Sequence, residues 1–179
     1  DSIDLEVLKT CRRWIEEKKK CELVTVVKTW GSSPRPEGAT LGICEDGTVV
    51  GSVSGGCIED DLIDRVRKNG ITRVNPEIIK YGITADEAHR FGLPCGGTIQ
   101  LAIEPLCNKS FIKELISNLS QGKLVARRLN LTNGNVDLGP AGPGMSLKIS
   151  KTALTTIHGP RWKLLIIGAG QLSRFLAQI

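Results

Sequence analysis

The run Leu23 to Trp30, "LVTVVKTW", constrains this chain more than any other stretch. It is β-branched almost throughout, and such side chains pack well on a pleated surface while losing rotamer freedom in a helix. It therefore reads as a buried strand. Ahead of it, Ile3, Val7, Leu8, Cys11, Trp14 and Ile15 recur at helical spacing, which predicts an amphipathic helix within residues 3–20. Behind it, "GSSPRPEG" (31–38) carries two prolines and two glycines, so regular structure stops in a rigid loop. With aromatics at only 4%, the core around this strand must rest on Val, Ile, Leu and Ala.

The same alternation continues. "ATLGICEDGTVVGSV" (39–53) reads as a hairpin turning at Asp46-Gly47, a pair suited to φ > 0. Ile58, Leu62, Ile63 and Val66 then share one helical face, with Asn69-Gly70 as the stop signal. Residues 72–80 are expected as a strand despite Pro76, and 86–90 as a short helix. "FGLPCGGTIQLAIEPL" (91–106) reads as a glycine loop entering a strand, 110–120 as a helix and 123–131 as a strand. After the turn formers of 130–146 comes a weak strand, then a strong buried one (163–167) and a glycine turn into a helix. Interleaved helices and strands predict an α/β fold. We expect an N-terminal α/β (mixed-sheet) domain over 1–130, a linker over 131–160, and over 161–179 the incomplete start of a Rossmann-like domain.

Charge and cysteine usage narrow the function class. The net charge of +5 comes from scattered residues such as Arg12, Arg13, Lys18, Lys19 and Lys20, interspersed with Glu16 and Glu17. The one aromatic residue among them, Trp14, belongs to the apolar face of the predicted helix, so the charges read as a solvated helix face rather than a nucleic-acid surface. No apolar run reaches the roughly 18 residues of a membrane span. Six cysteines (11, 21, 44, 57, 95 and 107) are spread through a chain that has its own core, without C-x-x-C spacing. Reduced thiols in a cytoplasmic protein are expected from that pattern. With only His89 and His158 present, a dedicated zinc site is not expected.

Three turns carry the chemistry. In "SVSGGCIEDD" (52–61) a strand is expected to end near Val53 and a helix to start near Ile58, leaving the amides of 54–58 free and outward. Ser54, Gly55 and Gly56 would then receive an anion, since glycines admit close approach and a helix N-terminus favours negative charge. The same field favours a thiolate at Cys57. The alternative is a tight turn with a small buried cysteine. A nucleophile elbow at Ser54 is a weaker option, because neither histidine has a supporting motif. "LPCGG" repeats the chemistry with Cys95, Gly96 and Gly97, and "GSSPRP" offers Ser32, Ser33 and Arg35 to a phosphate or carboxylate, or is simply a rigid turn. "GAGQLS" resembles a dinucleotide-binding glycine turn at Gly168 and Gly170, with Ser173 at the third glycine position.

Taken together, "GSSPRPEGATL", "GSVSGGCIEDDL", "GLPCGGTIQLAIEPL" and "LLIIGAGQLSRFLA" resemble the XdhC/CoxI family, in the right order from about residue 5 onward. The resemblance implies an N-terminal α/β domain followed by a Rossmann-like one. It also implies an accessory chaperone, rather than an enzyme, that binds molybdenum cofactor (molybdopterin), assists its sulfuration by a cysteine desulfurase, and inserts it into a xanthine dehydrogenase-type molybdenum hydroxylase. Cys57 carries over as the principal residue, close to the molybdenum or the exchanged sulfur, with Cys95 second. Two other readings stand beside it: an NAD(P)-dependent oxidoreductase, with NAD(P) bound only by a full-length protein, and a scaffold without cofactor. An unpaired apolar strand at 163–167 gives a reason to expect a homodimer.

Overall fold

The computed structural model describes residues 3–31, 35–82, 97–106, 110–142, 144–160, 168, 170 and 171. Among the described residues, three helices, α1 (Ile3–Glu16), α2 (Cys57–Asn69) and α3 (Ser110–Ser120), combine with nine strands. The first sheet has the order β3-β2-β1-β5-β4, from β1 (Cys21–Trp30), β2 (Thr40–Cys44), β3 (Val49–Gly51), β4 (Glu77–Tyr81) and β5 (Thr98–Pro105). The second has the order β7-β6-β9-β8, from β6 (Val125–Asn130), β7 (Val136–Pro140), β8 (Lys148–Ile149) and β9 (Ala153–His158). Helices and strands mix as expected for α/β. Every described strand pair is antiparallel, so the mixed sheet takes the form of two antiparallel ones.

β1 is central, and its first seven residues are all buried. Its even-numbered face, Val24 and Val26, joins Leu41, Ile43, Leu101 and Ile103 under Ile58, Leu62 and Val66 of α2. On the opposite face, Cys21 and Leu23 meet Leu8, Cys11 and Trp14 of α1 and Ile112 and Leu115 of α3. Further along that face, Val27 and Ala102 pack on Leu129 and Leu154 of the second sheet. The register with β5 steps from Val26↔Leu101 to Lys28↔Gln100, so Val27 is the extra residue of a bulge.

Residues 131–160 are not the linker that their turn formers suggested: they supply β7, β8 and β9. β7 and β8 are edge strands, β7 only half-buried and β8 exposed, and both are short, so their hydrophobic pattern is faint. Backbone pairing with β6 and β9, which needs no such pattern, makes them strands. The expected helix at 86–90 and strand at 163–167 lie outside the described residues.

The two sheets are joined by a buried charge pair. Arg127 of β6 donates through Nη2 to both carboxylate oxygens of Glu104 on β5. Its guanidinium also lies 4.8 Å from the centroid of Phe111 on α3. Both charged residues are almost wholly buried. Burial pushes the Glu104 carboxyl above its ordinary range, while the attraction of Arg127 opposes that rise. Arg127→Met should cost about 3–5 kcal/mol in urea denaturation, because it strands a buried carboxylate. Arg127→Met with Glu104→Leu should recover most of that loss; a single variant within about 1 kcal/mol of the parent would show that the pair does not hold the sheets together.

Candidate functional site

The turn between β3 and α2 is organised by one carboxylate. Glu59, in the first turn of α2, points back along the chain, and Oε1 accepts from the amides of Val53 (2.9 Å), Ser54 (2.8 Å) and Gly55 (3.0 Å). Oε2 accepts from the amide of Gly56 at 3.0 Å and from the Ser54 hydroxyl. The Ser52 hydroxyl donates to Oε1 at 2.8 Å. Four amides and two hydroxyls therefore close on a single side chain.

This corrects the expectation of free, outward amides: those of Ser54, Gly55 and Gly56 are taken up by the chain's own anion. The physical reason is proximity. A glutamate three residues past the N-cap reaches the N-cap amide more readily than any ligand, as the second half of a capping box does. The signal for Glu59 lies in that spacing, Gly56-x-x-Glu59. Its neighbours divide the remaining work. Asp60 is exposed, and Asp61 accepts a 2.8 Å hydrogen bond from the Tyr81 hydroxyl at the end of β4.

Glycine has a definite role at Gly55, whose φ of 84° is left-handed, while a Cβ there would meet only open space. Gly56 also faces open space. The outer side of the turn thus remains approachable although its amides are occupied.

The described ends of the 31–36 segment touch each of the other two motifs. Gly31, just past the end of β1, comes so close to Gly97 that a Cβ on Gly31 would lie 3.3 Å from the Gly97 Cα. Arg35, four residues on, donates from Nε to the Ser52 hydroxyl at 3.3 Å. Arg35 and Ser52 line one cleft of about 560 Å³ with Asp4, Glu6, Glu37 and Thr40. That volume falls within the range of small-molecule sites.

Cys57 opens α2 directly after the turn. Ser32, Ser33, Cys95 and Gly96 lie outside the described residues. Gly168 and Gly170 are exposed, and most of the strand and helix expected around them also lie outside. Cys11, Cys21 and Cys44 are buried free thiols. A hydrogen bond with Cys21, then burial, pushes the Cys11 thiol up and keeps it protonated. Among the described residues no helix is long and apolar enough to cross a membrane.

Burial alone would raise the Glu59 pKa, but the Ser54 hydroxyl and the amides of Ser54, Gly55 and Gly56 outweigh it and bring it to about 2. The folded value lies below the ordinary 4.5, so its stabilising contribution is complete above that pH and is lost as pH falls towards 2. Unfolding free energies of the parent and Glu59→Gln, measured from pH 7 to pH 2, should differ by on the order of 2 kcal/mol at neutrality after allowance for partial solvation, and converge in acid.

Known proteins share this arrangement of sequence. Residues 14–82 match the sequence model of the XdhC and CoxI family, which bears out the resemblance read from the motifs. The chain is 34% identical over 111 residues to the molybdenum cofactor insertion chaperone PaoD of Escherichia coli, covering 62% of this chain and 34% of that protein. It is 23% identical over 158 residues to a Bacillus subtilis protein named as a probable component of xanthine dehydrogenase, covering 83% and 48%. A crystal structure described as a xanthine dehydrogenase from Bacillus halodurans superposes with a TM-score of 0.65 at 27% identity, over 88% of this chain and 53% of that one. The chain thus spans between a third and about half of the length of these proteins.

Proposed function

We propose that this chain, whose residues 14–82 belong to the XdhC and CoxI family, serves the maturation of molybdenum enzymes by holding molybdenum cofactor at the face built from its three glycine turns. The observation that carries this reading is the pair of contacts that links those turns: Gly31 against Gly97, and Arg35 of the cleft on Ser52, five residues ahead of Cys57.

The groups suit the cargo. Molybdopterin bears a phosphate, for which Arg35 is the matching cation in the cleft. Its aminopyrimidinone edge offers N–H donors, and Asp4, Glu6 and Glu37 are acceptors lining the same space. Its dithiolene-bound molybdenum is soft, and a cysteine at the head of α2 is the corresponding soft ligand. The open side of Gly55 and Gly56 leaves room for the cofactor to approach.

In this reading the chain binds and shields the cofactor, a cysteine desulfurase furnishes the sulfur, and a xanthine dehydrogenase-type apoenzyme receives the product. The name of the Escherichia coli relative supports the chaperone role, and those of the two Bacillus relatives support the partner class.

The test is cofactor content. Protein purified without oxygen, from a host with intact cofactor synthesis, should carry molybdenum together with the fluorescence of an oxidised pterin. Cys57→Ser should lose most of both while keeping its thermal midpoint. Parental levels in a folded Cys57→Ser protein would make Cys57 structural, and absence of both signals from the parent would overturn the reading.

A further inference from the structure

Ser52 belongs to none of the residues expected to meet a ligand, yet its hydroxyl is used to capacity. It donates to Glu59 Oε1 at 2.8 Å, and accepts from Arg35 Nε at 3.3 Å and from the Gly55 amide at 3.0 Å. A hydroxyl has one donor and two acceptor positions, and all are filled. Arg35, in the cleft, is thereby connected through one atom to the carboxylate that holds the turn ahead of Cys57.

We infer that Ser52 and Glu59 are positioning residues of the cofactor site: the line Arg35–Ser52–Glu59 couples the occupant of the cleft to the geometry of the Cys57 turn. The inference rests on the reading above for what is bound, and on the hydrogen bonds alone for the coupling. Two consequences follow. Because Glu59 satisfies the amides of Val53 to Gly56, an incoming phosphate is not received by the turn, and its recognition falls to Arg35. Because the Ser52 hydroxyl has no spare valence, moving Arg35 towards a ligand anion leaves the Gly55 amide as the one protein donor to that oxygen and opens the other acceptor position to water, so the turn feels the cleft being filled.

The experiment uses the full chain with Glu59→Ala, Ser52→Ala and Arg35→Ala, and with Glu59→Gln as the milder substitute should Glu59→Ala not fold. Glu59→Ala should raise hydrogen exchange of the Val53–Gly56 amides about tenfold while β1 and β5 amides stay at parental rates, and bound pterin should fall by a similar factor. Formate, which returns a carboxylate to the vacated space, should restore both slow exchange and pterin; chloride at equal ionic strength should restore neither.

Ser52→Ala cuts the line but leaves Glu59 its other donors. It should lower bound pterin by about threefold, and Arg35→Ala added to it should cost less than Arg35→Ala alone, the signature of coupled residues. Additive losses, parental pterin in Ser52→Ala and Glu59→Ala, or formate that slows exchange without returning pterin would each overturn the inference. If the parent itself holds no pterin, the functional reading fails, while exchange and its rescue by formate still decide whether Glu59 holds the turn.

Discussion

Seven consecutive buried residues, Cys21 to Val27, leave most of β1 without a solvent face, and the rest of the fold answers that demand. A strand buried twice needs hydrogen-bonded neighbours on both edges and a layer on both sides. β2 and β5 provide the edges. α2 covers one side, while α1, α3 and the second sheet divide the other. Where that second side changes from helix to sheet, the contact is secured by Arg127 and Glu104 rather than by apolar packing alone. A paired charge in such a place contributes little net stability but makes separation of the sheets costly, because neither ion can be left alone in the interior.

Two buried glutamates illustrate how surroundings set behaviour. Glu104 meets one cation in an apolar interior, and desolvation wins, so its carboxyl is pushed up. Glu59 is surrounded by amide and hydroxyl donors, each of which favours the ionised form, and it is held at about 2. The first joins layers of the core. The second freezes a loop, and does so at the point where the chain turns from β3 into the helix that begins with Cys57.

The two arrangements divide the work between joining layers and ordering a turn. The chain supplies its own anion to the amide-rich turn, so the turn is preorganised before any ligand arrives, and the ordering cost is met during folding. The cleft beside it is lined by side chains of both charges, and Gly55 and Gly56 keep their outer faces open.

Much of this was legible in the residues. β-branched runs, helical periodicity and the Asp46-Gly47 turn located β1, the β2–β3 hairpin, α1, α2 and α3, because each depends on neighbours in sequence. The glycine-rich motifs were legible as turns for the same reason. The weak strands β7 and β8 were not legible, since their pairing lies in the backbone and not in a hydrophobic pattern. Nor was the partner of Glu104, 23 residues further along the chain. In "SVSGGCIEDD" the sequence by itself determined that a glycine turn would run into a helix with acidic residues at its head. Only the tertiary structure decided that Glu59 turns back to occupy the amides, that Asp61 reaches Tyr81, and that Arg35 meets Ser52. Those choices depend on distances between segments, which the order of residues alone does not contain.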